Sequence, residues 1–197
     1  MKRKRIKAAV CAAVMAFTLF GSLCPVDHHF MRETSVTASA EAAIWDGTED
    51  TSWYYREHDV IVSENGERIA IFNIRTAEEL AGLAKLVRNG NNMKNTMINL
   101  VSDVTLNDTT NFDNWNEQPP ANNWTAIGAV PIEAPNVNVV MTIQPECRNT
   151  IFAGMFNGNG HTISGMYSLH HNYAGLFART SGIITNVIVK DSYIQCI

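Results

Sequence analysis

The stretch that most constrains this chain runs from Phe156 to Lys190. Phe156-Asn157-Gly158-Asn159-Gly160-His161-Thr162-Ile163-Ser164-Gly165-Met166 reads as a turn followed by a short alternating strand. Ala174-Gly175-Leu176-Phe177 reads as a second turn, and Thr185-Asn186-Val187-Ile188-Val189-Lys190 as another short strand. Ile163 and Val187 hold equivalent places 24 positions apart. A period of that order belongs to the stacked coils of a solenoid rather than to a closed globule. Each coil of such a stack buries its apolar face only against a neighbour.

Upstream, the pattern supplies a beginning for the stack. Val60-Ile61-Val62 and Ile69-Ala70-Ile71-Phe72 flank Glu64-Asn65-Gly66-Glu67, and an Asn-Gly between two apolar β-formers signals a hairpin. Thr76-Ala77-Glu78-Glu79 is a capping box, with the Thr76 hydroxyl taking the Glu79 amide and Glu79 reaching back to the Thr76 amide. Leu80, Leu83, Ala84 and Val87 then share one face of a helix that Asn89-Gly90 ends. A helix this short cannot bury its stripe alone, so it suits the role of plug over the first coil. Beyond it the period changes to two, in Met97-Ile98-Asn99-Leu100-Val101 and Val104-Thr105-Leu106. A polar loop over Asn107 to Asn123 leads to Trp124-Thr125-Ala126-Ile127-Gly128, which re-enters the core. Ala129 to Asn149, with Val137 to Ile143, reads as an inserted hairpin or an irregular longer coil.

The first forty residues read as a leader. Met1 to Lys7 is basic, Ala8 to Leu23 is apolar and uncharged, and Ala38-Ser39-Ala40 offers the small-x-small cleavage pattern. The apolar run falls short of the roughly 20 residues a spanning helix needs. A retained anchor and a lipoprotein built on Cys24 are the alternatives to export. The expected organisation is therefore a signal peptide over 1–40, an N-terminal β segment over 41–75, a capping helix over 76–90 and coils over 91–197. Contact with membrane is expected only through the signal peptide during export.

Of 15 basic and 19 acidic residues the leader holds six and two, which leaves nine against seventeen and a net charge of −8. That balance argues against nucleic acid, whose binding needs cations to neutralise phosphate. It suits an extracellular surface, or a site for a hard cation such as calcium built from Asp103, Asp108 and Asp113. The competing reading makes these three solvated loop acids. Two cysteines outlast cleavage, Cys147 and Cys196. Exported proteins pair such thiols when their Cα atoms come within reach, which the sequence leaves open.

An ordered set of motifs now adds to the residue-level reading. Trp45-Asp46-Gly47, Asp50-Thr51-Ser52-Trp53-Tyr54, Thr76 to Val87, Trp124 to Gly128, Phe156 to Ile163 and Ala174-Gly175-Leu176-Phe177 stand in this sequence. Together they resemble the N-terminal part of large secreted or cell-wall surface proteins of Gram-positive bacteria, and the tail resembles the repeat called the GLUG motif. The likeness spans residues 45–194, departing mildly at Asn157 and Ala178. It implies an all-β solenoid: the N-terminal end of a right-handed parallel β-helix, pectate-lyase-like, with an N-terminal hairpin and one amphipathic capping helix. It also implies further coils after Ile197.

The function expected from this resemblance is a non-catalytic surface scaffold, secreted or cell-wall associated, that meets glycans or host surface proteins. The contrasting expectation is the first part of a polysaccharide lyase or glycoside hydrolase whose catalytic coils lie beyond residue 197. Clustered carboxylates of the kind glycosidic cleavage needs do not appear in Asn107-Asp108-Thr109 or around Gly160-His161-Thr162. His161 reads as a corner-fixing hydrogen-bonder more readily than as a proton shuttle, and no His-Glu-x-x-His occurs. Trp115 and Trp124 flank the polar loop, either as sugar-stacking rings or as core anchors. Trp45, Trp53 and Tyr54 are expected to pack the hairpin against the helix.

Overall fold

The computed structural model describes residues 43–130, 150–170 and 173–197. The expected signal peptide, Cys147 and all but the first two residues of the stretch from Ala129 to Asn149, expected to form an inserted hairpin or an irregular longer coil, lie outside them. The described residues form mostly sheet with one α-helix, and the sheets stay open rather than closing into a barrel.

The strands are β1 (Asp59–Val62), β2 (Arg68–Ile74), β3 (Thr96–Leu100), β4 (Val104–Thr105), β5 (Met155–Asn157), β6 (Thr162–Ser164), β7 (Tyr167–His170), β8 (Ile183–Thr185), β9 (Ile188–Lys190) and β10 (Tyr193–Cys196), with helix α1 (Ala77–Arg88) between β2 and β3. They make three sheets, ordered β1-β2-β3-β5-β8, β4-β6-β9 and β7-β10. Only the β1–β2 pair is antiparallel, as the Asn65-Gly66 hairpin predicts, with Gly66 at a φ of 85°. Every other pair is parallel.

Register determines the core. Phe72 pairs with Ile98, Ile98 with Phe156, and Phe156 with Ile184, so one inward column crosses four strands. Val104, Ile163 and Val189 form a second column in the next sheet. Phe72, Ile98, Phe156, Val104 and Ile163 are buried in a single cluster, and burying each such side chain is worth about 1.5–3 kcal/mol. Because side chains alternate, a slip of one residue would turn a whole column outward.

The equivalence of Ile163 with Val187 needs correcting. Ile163 pairs with Val189. Asn186 takes a φ of 52° and turns the chain, so Val187 belongs to the corner and the strand starts at Ile188. The sequence period misses this because it cannot show how many residues a corner consumes.

Helix α1 caps the same core. Leu80, Leu83 and Val87 are fully buried, packed with Phe72, Ile74 and Leu100 in one cluster. The Thr76 hydroxyl accepts from the Glu79 amide at 3.2 Å. The return bond differs from the expected box by one residue, since Glu79 Oε2 accepts from the Arg75 amide at 2.8 Å. Its other oxygen takes Arg56 Nη1 at 2.8 Å. Gly90 closes the helix at a φ of 94°. The indole of Trp53 donates to the Glu79 carbonyl at 3.0 Å and meets Phe72 edge-on at 5.4 Å, as expected. Trp45 instead meets Trp124 edge-on at 5.8 Å, and its amide donates to Thr105.

The helix lies tight against the N-terminal segment at Gly82. A Cβ there would stand 1.8 Å from the Asp50 carbonyl oxygen, part of a segment whose Asp50 amide donates to the Glu78 carbonyl at 2.9 Å. Helix propensity favours Ala over Gly by about 1 kcal/mol, whereas overpacking against fixed backbone costs about 1–3 kcal/mol. The clash wins, so Gly82→Ala is expected to lower the urea midpoint; an unchanged or raised midpoint would show that this approach is loose.

Candidate functional site

The concave feature with the densest functional chemistry lies beside the hairpin, where β1 leaves the edge of β2. It is a cleft of about 860 Å³ whose lining includes Tyr55, Arg56, Glu57, His58, Asp59, Asn73 and Arg75, with Trp53, Ile71 and Phe72 beneath them. Its near wall comes from a single 3₁₀ turn, Ser52–Tyr55, whose buried Trp53 fixes the turn on the core while Tyr55 stays 78% exposed. Tyr54 stacks on Phe72 at 5.2 Å, and Tyr55 meets Tyr54 edge-on at 5.5 Å. The His58 ring lies 4.4 Å from that of Phe72, with Nδ1 3.1 Å from the Arg56 carbonyl.

The charges here are partly committed. Arg56 is held by Glu79, by the Ser52 hydroxyl at 3.0 Å and by Asp50 at 3.5 Å. Asp50 is correspondingly held below the usual carboxylate range, chiefly by the Ser52 hydroxyl and amide, with the Arg56 charge adding to them. Arg75 lends its backbone to the helix cap and to the Ser102 hydroxyl, and its side chain lines the cleft. An exposed aromatic face beside carboxylates, an amide and a guanidinium offers stacking together with both donors and acceptors.

A second hollow, of about 520 Å³, lies over the β4-β6-β9 sheet and is lined by Thr105, Asp108, Thr110, Ser164, Lys190 and Asp191 among others. Its hydroxyls are largely spent locally. Thr105 and Ser164 lie 3.2 Å apart, and Thr110 donates to Asp108 at 2.5 Å.

The residues singled out by sequence fall elsewhere. Trp115 and Trp124 are 2% and 1% exposed, so neither ring offers a face to a sugar, and both act as core anchors. Trp115 meets Tyr167 edge-on at 6.0 Å. Cys196 is exposed on β10, and Cys147 lies outside the described residues. His161 sits at the turn before β6, its Nδ1 3.1 Å from Asp103 Oδ1, and the Thr162 amide donates to the same oxygen at 2.9 Å. Asp108 accepts from Thr110, and Asp113 sits in the 3₁₀ turn Phe112–Asn114. Among the described residues no group of three His, Cys, Asp or Glu side chains is placed to hold a metal ion, calcium included. No helix among them is long and apolar enough to cross a membrane.

Sequence reading passed over the cleft because its two walls lie apart in the chain. One signal was present: the run Trp53-Tyr54-Tyr55-Arg56-Glu57-His58-Asp59 puts three aromatics directly before four polar or charged side chains. No protein-family model matches this chain, and neither a curated protein nor a solved structure matches it. The functional reading therefore rests on geometry and sequence.

The Asp103 corner gives a pH dependence. The Thr162 amide chiefly holds this carboxyl below its ordinary 3.8; partial burial opposes the shift, and His161 and Lys190 support it. The folded state thus binds this proton more weakly than the unfolded chain, so the corner stabilises the fold above the unfolded value and loses that effect as pH falls through the lowered folded one. The melting-temperature gap between the parent and Asp103→Ala is expected to be largest near neutral pH and to shrink through the acid range. A gap that stays constant with pH would contradict this role.

Proposed function

We propose that this chain is a non-catalytic, secreted or cell-wall-associated surface scaffold that binds glycan in the Tyr55 cleft. The observation that carries the reading is the cleft itself: a rigidly seated turn presents an exposed Tyr ring among Glu57, Asp59, Asn73 and Arg75. A sugar needs this combination, an apolar face for its C–H surface and polar groups for its hydroxyls. Contact thus comes from the cleft rather than from Trp115 and Trp124.

The scaffold we infer is the N-terminal end of a right-handed parallel β-helix. Two lines of support bear on it: parallel pairing in three sheets with each column passing from strand to strand, and the strong general preference for right-handed parallel connections. Kinship with Gram-positive surface proteins carrying GLUG-type repeats is part of the same proposal. Its support is the Gly160-His161 corner and Gly175-Leu176-Phe177, where Phe177 bridges Ile127 in parallel.

The test is a screen of the protein against immobilised mucin and plant glycans, followed by Tyr55→Ala. Because Tyr55 is exposed, its truncation should leave the melting temperature nearly unchanged. Binding should fall at least tenfold, since the ring supplies the stacking face. Release of unsaturated or reducing sugar ends during the screen would instead establish an enzyme.

A further inference from the structure

The cleft continues onto the outward face of the β1-β2-β3-β5-β8 sheet, and register shows how. Ile71 and Asn73 line the cleft. Each also stands in a row that crosses the sheet at right angles to the strands, and the Ile71 row opens on β1 at Asp59. Ile71 pairs with Met97, Met97 with Met155, and Met155 with Ile183. Asn73 pairs with Asn99, Asn99 with Asn157, and Asn157 with Thr185. These positions alternate with the buried Phe72, Ile98 and Phe156, so both rows face away from the core.

The two rows differ in chemistry. The first is apolar beyond Asp59, with Ile183 59% exposed at its far end and polarisable thioethers in the middle. The second is a partial amide ladder. Asn99 Nδ2 donates to Asn73 Oδ1 at 3.2 Å, and Asn186 Nδ2 donates to Asn157 Oδ1 at 3.1 Å. A side-chain amide carries two donors and an oxygen with two lone pairs. Asn157 is spent locally, its Oδ1 accepting from the Asn159 amide at 3.0 Å as well as from Asn186 and its Nδ2 donating to Asn159 Oδ1 at 2.7 Å, so the capacity left on this row lies at Asn73 and Asn99. Neighbouring strands repeat roughly every 4.7–4.9 Å, close to the length of one pyranose unit.

We propose that this face is a binding track for a linear, uncharged polysaccharide lying across the strands, its C–H faces on the Ile71–Met97–Met155–Ile183 row and its hydroxyls on the asparagine row. Beyond Asp59 the rows carry no charged side chain over β2, β3, β5 and β8, which is why the ligand along the track is neutral. The proposal rests on the cleft as the place where the sugar chain begins. A globular protein partner would need relief matching its own surface, whereas two straight rows at constant spacing match a polymer with a constant repeat.

The test uses the full chain, calorimetry and length series of neutral linear β-linked gluco-, xylo- and manno-oligosaccharides from disaccharide to hexasaccharide. In the series that binds, affinity is expected to rise roughly tenfold or more with length, as added units reach successive strands. Met155→Glu, two strands from the cleft wall, should bring the hexasaccharide down to the affinity of the disaccharide. Unchanged disaccharide binding by that variant reports that it folds, and Met97→Glu gives an independent second reading. Affinity that is flat with length yet lost in Tyr55→Ala overturns the track and leaves the cleft standing. No binding in any series overturns the track, and the mucin and plant-glycan screen with Tyr55→Ala then decides the cleft reading separately. A dimer seen in sedimentation and abolished by Met155→Glu overturns the track in favour of a second copy of the chain.

Discussion

Parallel, in-register pairing is the constraint from which the rest of this structure follows. Once Phe72, Ile98 and Phe156 stand in one column, the faces of every strand are decided, because inward and outward positions alternate. The same register that stacks the apolar side chains inside lines up Asn73, Asn99 and Asn157 outside. Core and surface chemistry are therefore two readings of one alignment. Small residues at the strand ends keep the spacing. A Cβ on Gly182 would stand 1.9 Å from the Gly154 carbonyl oxygen, and one on Gly158 would stand 2.4 Å from that of Asn186.

The N-terminal end of the stack is closed by a different device. Helix α1 and the Trp53 turn cover the first column, and Glu79 joins them: one oxygen caps the helix through Arg75, and the other holds Arg56 at the cleft wall. Arg88 and Lys85 hold the preceding segment through Glu49, at 2.6 and 3.2 Å. Burial would raise the Glu49 carboxyl, yet these two cations hold it below its ordinary value. The side chains that seal the core thus also position the cleft, and Tyr55 gains a fixed direction without being buried itself.

Local signals were legible in the sequence. Asn65-Gly66 marks the hairpin, and Thr76 and Gly90 bound the helix to within a residue, since short-range stereochemistry determines each. Long-range relations were not. His161 finds Asp103 58 residues away, and nothing near either residue announces the other. The offset from Val187 to Val189 depends on the left-handed Asn186 at a corner. Trp115 sits in a polar loop by sequence and is buried in the structure, because burial follows from what folds over a ring rather than from its neighbours in the chain, whereas Trp124 opens the stretch read as re-entering the core and is buried there. The cleft is a nearer case, assembled across the hairpin from residues 53–59 and from Ile71 to Arg75.

The register itself is open to direct test by cysteine cross-linking, with the native cysteines replaced by serine. Partners on adjacent strands lie within the distance a disulfide spans. Asn99→Cys with Asn157→Cys is predicted to close under mild oxidation, whereas Asn99→Cys with Phe156→Cys, one residue out of register and on opposite faces, should not. Efficient closure of the second pair, or failure of the first in a folded protein, would contradict the alignment on which both the core and the binding face depend.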